Sequence, residues 1–130
     1  MTPSDAAEAR ARVAALLDGG PDTGPAVSGA ARADALLVTS ELVTNAVRHG
    51  GGLAGFEAAL DREALEITVT DRSCEVPHSA AGRPIRPGAP NGGATEGGFG
   101  WPLVRLLADQ VSVAPLATGG KSVRVRLRVR

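Results

Sequence analysis

Glu41-Leu42-Val43-Thr44-Asn45-Ala46-Val47-Arg48-His49-Gly50 reads as the end of an amphipathic helix carrying an acid and an amide one helical step apart. Glu41 and Asn45 stand at i and i+4, so both side chains leave the same face. Leu36, Leu37, Val43 and Val47 recur at the spacing expected of a buried stripe. A carboxylate can act as a general base, and an amide oxygen can hold Mg²⁺, a hard cation that prefers oxygen ligands. Alone the pair is weak evidence. Two later segments make it a candidate site.

Working outward, the helix is predicted over Ala30 to His49, stopped by Gly50-Gly51-Gly52. Before it, Ser4 to about Leu17 has helical periodicity, with Ser4 or Asp5 as its cap, and a Pro- and Gly-containing connector runs on to about Gly29. After it, Leu53 to Leu60 reads as a strand and Asp61-Arg62-Glu63 as a tight turn. From Ala64 to Thr70 the pattern alternates: Leu65, Ile67 and Val69 face one way, Glu66, Thr68 and Thr70 the other. That is a half-buried antiparallel strand.

Cys74 to Gly100 holds no period and is rich in Pro and Gly; loops of that length are functional lids or disordered segments. Pro102 to Ala108 reads as a short helix with Pro102 near its first position. Val111 to Leu116 and Ser122 to Arg130 form a strand pair joined by Ala117-Thr118-Gly119-Gly120. The 130 residues are expected to form one domain, residues 1–130, with a single core.

Composition narrows the function classes. With 14 basic and 14 acidic residues the formal charge is zero, so no bulk charge drives the chain onto nucleic acid or anionic lipid. Phe56, Phe99 and Trp101 are its aromatic residues, too few for base-stacking platforms. One cysteine, Cys74, excludes an intramolecular disulfide and a multi-cysteine metal site. Met1 to Arg12 lacks the apolar core of a signal peptide, and no apolar run approaches membrane-spanning length. A cytoplasmic protein is expected. Lys121 is the one lysine among the 14 basic residues, which reads as GC-rich coding bias.

Two segments then join the Glu41/Asn45 pair. Asp71 continues the core-face parity of residues 65, 67 and 69 just where the strand ends. A carboxylate emerging on a core face needs a partner, since burying it unpaired is costly. An adenine amino group would serve; a turn aspartate or helix cap is the bland alternative. The second segment is Gly97-Gly98-Phe99-Gly100, directly before the Pro102 helix. Glycines let backbone N–H groups approach an anion, and a helix N-terminus adds a favourable dipole. A flexible linker is the competing reading. Position 103 is Leu and no Gly-Lys-Ser/Thr follows, so neither a dinucleotide fingerprint nor a P-loop is present.

The order of these pieces resembles the GHKL (Bergerat-fold) ATP-binding domains, and within them the bacterial anti-sigma-factor serine/threonine kinases. The stretch from Glu41 to Gly50 is similar to that subgroup's N box. Asp71-Arg72-Ser73 stands where its first glycine box belongs, and Gly98-Phe99-Gly100-Trp101-Pro102 where the second does. Gly119-Gly120-Lys121-Ser122-Val123 is similar to the beginning of its final strand.

The resemblance implies an α+β fold, a two-layer sandwich with a mostly antiparallel sheet and helices on one face. It implies ATP and Mg²⁺ as cofactors. Asn45 would hold Mg²⁺ against the phosphates, Glu41 would orient or deprotonate the attacking hydroxyl, and Asp71 would accept the adenine amino hydrogen. Ser73, Phe99, Gly98 and Gly100 would line the nucleotide, with about Glu75 to Gly97 closing as a lid. His49 would lie near the phosphates, although a helix-terminal cation interacting with the dipole reads equally well.

The implied partners are a sigma factor and an anti-sigma-factor antagonist, with a homodimer possible and no direct contact with nucleic acid or membrane. The alternative is a non-catalytic nucleotide-binding or purely protein-binding module. Three positions depart from the family pattern: Ser73 stands where Gly is usual, Trp101-Pro102 is bulkier than usual, and Lys121 replaces a frequent Thr.

Overall fold

The computed structural model describes residues 3, 5–19, 27–49, 51–72, 100–117 and 119–129. Over these the chain runs α1 (Ala6–Gly19), α2 (Gly29–His49), β1 (Leu53–Leu60), β2 (Ala64–Asp71), α3 (Gly100–Leu107), β3 (Gln110–Pro115) and β4 (Lys121–Arg128). The four strands make one sheet in the order β1-β2-β4-β3, with every neighbouring pair antiparallel. α1 packs on α2 and β1, α2 on β1, β2 and β4, and α3 on α2. The fold is therefore α+β, with a helical layer over one face of an antiparallel sheet, as expected.

Local chemistry explains the elements. Asp5 caps α1: its Oδ1 accepts the Glu8 N–H at 2.9 Å. Ser28 caps α2 in the same way, its Oγ accepting the Ala31 N–H at 3.0 Å. α2 ends at glycines, because Gly51 (φ 72°) and Gly52 (φ 115°) take left-handed conformations costly for other residues. The Gly52 N–H donates back to the Ala46 carbonyl at 3.1 Å, which turns the chain into β1.

The buried stripe of α2 differs from the one expected. Ala35, Val38, Thr39, Leu42, Val43 and Ala46 are buried, whereas Leu37 is 40% and Val47 51% exposed. On a 3.6-residue turn, residues 37 and 47 fall outside the arc that contains 35, 38, 42 and 46. The small side chains Ala35 and Ala46 allow close packing on the sheet, so bulk alone misidentified the inward face.

Strand boundaries also moved slightly. β3 lies one residue earlier than predicted, and β4 begins at Lys121 and ends at Arg128. The alternation of β2 held: Leu65, Ile67 and Val69 are buried beneath α2, and Asp71 follows them into the interior.

Asp61 organises the turn between β1 and β2. Its Oδ1 accepts the Glu63 and Ala64 N–H groups, each at 2.8 Å, and its Oδ2 accepts from Arg126 Nη1 at 3.0 Å. These bonds favour the charged form, the Glu63 N–H most, and lower its pKa from 3.8 to about 2. A depressed carboxylate contributes stability above its unfolded pKa and loses it as pH falls through the folded one. The excess thermal midpoint of wild type over Asp61→Asn should therefore be full above about pH 5 and shrink as pH falls, vanishing only below about pH 2. A gap independent of pH would show that the charge does not matter.

Candidate functional site

The sheet register brings the two halves of the candidate site to one end of the fold. Leu53, which follows the glycine turn after α2, is the strand partner of Asp71. The last turns of α2 and the last residue of β2 thus meet at the same edge. The Arg72 side chain reaches back to this turn: a Cβ on Gly52 would lie 2.9 Å from its Nη1. β4 starts at this edge too, because Lys121 is the partner of Asp71 on its other side. Gly120 has φ +87°, and a Cβ there would collide with the Asp71 carbonyl oxygen.

Glu41 and Asn45 are half-buried on a single flank of α2. Arg10 Nη1 donates to Ser40 Oγ at 2.8 Å, and Arg32 donates to both Asp18 carboxylate oxygens at 2.9 and 2.8 Å. These bonds place α1 along the Arg32/Ser40 flank. Glu41 and Asn45 lie about 100° and 140° round the helix from Ser40, on the other side of the buried stripe. α3 also packs on α2.

α3 is tied down at its C-terminal end. The Asp109 N–H donates to the Arg126 carbonyl at 2.8 Å, and Asp109 Oδ2 accepts the Arg128 N–H at 2.6 Å. Gly100 is the opposite end of the helix. Eight residues span about 12 Å of helix, against about 17 Å of strand from Arg126 to Lys121. The helix has the length to return most of the way to the Asp71 edge. His49 is the last helical residue of α2, and so stands at the same edge as Asp71. Ser73, Gly98, Phe99 and the expected lid from Glu75 to Gly97 lie outside the described residues.

The charge at the centre of this edge was not foreseen. Asp71 and Lys121 are each 4% exposed, and Lys121 Nζ donates to Asp71 Oδ2 at 2.8 Å. The expectation that Asp71 needs a partner held, and a partner inside the protein is the chain's one lysine. Two signals pointed to it. Lys121 shares the parity of Val123, Val125 and Leu127, so one more residue of strand puts it on the core face. It is also the position that departs from the expected Thr. An ion pair taken out of water must be well hydrogen-bonded to be tolerated. Arginine's broad fork would not substitute for the compact ammonium in such a space.

Among the described residues no three His, Cys, Asp or Glu side chains cluster as a metal site. No helix of these residues is long and apolar enough to cross a membrane. A family model described as a histidine kinase-like ATPase domain matches residues 1–127. No curated protein matches the chain.

Proposed function

Because the chain belongs to the histidine kinase-like ATPase domain family, we propose that it binds Mg·ATP at the edge where α2 and β2 end. The proposal extends to transfer of the γ-phosphoryl group to a Ser or Thr of an antagonist protein, with a sigma factor bound in the alternative state. The observation that supports it best is the pairing of Leu53 with Asp71, which sets the Glu41/Asn45 helix end beside a buried carboxylate. A cytoplasmic, homodimeric regulator is the setting the resemblance implies.

The residues present suit the nucleotide. Asp71 is a buried acceptor for the base. Asn45 offers an amide oxygen to a metal, and the phosphates supply the remaining anionic oxygens that Mg²⁺ favours. When bound, Mg²⁺ supplies charge neutralisation of the phosphates.

Glu41, one helical step away, is placed to align the acceptor hydroxyl and take its proton. The acceptor oxygen then bonds to phosphorus while the bond to the leaving ADP oxygen breaks. Catalysis of this kind is positioning and electrostatics.

Calorimetric titration with Mg·ATP, followed by a transfer assay on a candidate antagonist, tests the roles separately. Asn45→Ala is expected to weaken Mg·ATP binding. Glu41→Ala should keep binding and lower transfer by about 10²–10⁴-fold. Equal binding by all three proteins with no transfer would favour the second reading, a contact module without catalysis. Ser73, where Gly is usual, is the feature that favours that reading.

A further inference from the structure

Lys121 carries three N–H donors, and among the described residues its ammonium donates to a single carboxylate oxygen, Asp71 Oδ2. An ammonium 4% exposed with donors to spare is expensive unless something accepts from it. The group is not incidental to the composition. Arginine supplies every other basic side chain of the 14, and the compact lysine is kept where the charge is buried.

Resting on the nucleotide reading above, we propose that Lys121 is a second base-contacting residue, donating to the ring N1 of adenine while Asp71 accepts from the 6-amino group. The two atoms are neighbours on the Watson–Crick edge, one an acceptor and one a donor. Lys121 and Asp71 are likewise neighbours, directly opposed across β2 and β4 and 2.8 Å apart at their charged atoms. Adenine therefore satisfies both groups at once.

Guanine in the same orientation fails twice. Its O6 is an acceptor and would face the carboxylate, and its N1–H would face the ammonium. Because Asp71 and Lys121 are fixed on different strands in one register, they cannot exchange places to suit it. A site built to hydrogen-bond a ligand rejects one that presents mismatched groups far more strongly than one with a missing apolar contact. Lys121 thus makes the base reading two-point, where the carboxylate alone would make it one-point.

The test uses the intact chain, Mg·ATP, and Mg·1-deaza-ATP, in which N1 is replaced by C–H. Wild type should bind the deaza analogue about ten- to a hundredfold more weakly, the range for one hydrogen bond to a charged group. Lys121→Met should bind the two ligands alike. Since the chain has one lysine, ¹⁵N-lysine labelling gives one side-chain ammonium resonance. It should shift with ATP beyond any shift with the deaza analogue, and this readout needs no variant.

Wild type that binds ATP and the analogue equally overturns the Lys121 contact and leaves the nucleotide reading standing. So does a Lys121→Met variant that keeps the wild-type preference. Wild type that binds neither ligand overturns both.

Discussion

Lys121→Met should cost about 3–5 kcal/mol of folding stability, because it removes the ammonium that pairs with the buried Asp71 carboxylate. Asp71 and Lys121 are both 4% exposed, and their charged atoms lie 2.8 Å apart. Domains of this kind have about 5–15 kcal/mol in total, so the single substitution removes a large share. Asp71→Leu combined with Lys121→Met should recover most of the loss, since a buried pair replaced by apolar side chains is often neutral or stabilising.

Urea unfolding of the two single variants and the double would give the coupling directly. Additive losses would mean that the charges are solvated and independent. A recovered double variant that no longer binds nucleotide would show that the pair is kept for the site and not for the fold.

Gly120→Ala should be the most damaging glycine substitution at the β3–β4 turn. Gly119 (φ +88°) and Gly120 (φ +87°) are both left-handed, so each incurs the backbone strain of a side chain there, about 1–3 kcal/mol. They differ in space. A Cβ on Gly119 meets nothing within 4 Å, whereas one on Gly120 runs into the Asp71 carbonyl oxygen. That oxygen belongs to the β2 backbone and cannot retreat without disturbing the register of Asp71 on Lys121. Forced overpacking adds about 1–3 kcal/mol. Thermal midpoints should fall modestly for Gly119→Ala and much further for Gly120→Ala. Equal falls would mean that the close approach is absent.

Much of this architecture follows from short-range chemistry. Leu65, Ile67 and Val69 alternate with Glu66, Thr68 and Thr70, and that period of two survives because, among the described residues, the first set is buried and the second only partly so. The glycines after His49 end α2 because left-handed backbone is cheap only for them. Such signals act within a few residues, so they can be read along the chain.

The failures share a cause. Leu37 and Val47 looked inward by size, yet the turn of the helix put Ala35 and Ala46 against the sheet. Lys121 looked like coding noise until pairing with β2 carried it inward.

By itself, the amino-acid sequence determined which segments are helix or strand, the parity that sends Asp71 to the core, and the i, i+4 geometry of Glu41 and Asn45. Only the tertiary structure decided that β4 lies between β2 and β3, and therefore that Lys121 faces Asp71. Periodicity is set by backbone geometry over a few bonds. Partnership between residues 50 apart in the chain is set by which strand edges close the core, and no local pattern encodes that choice.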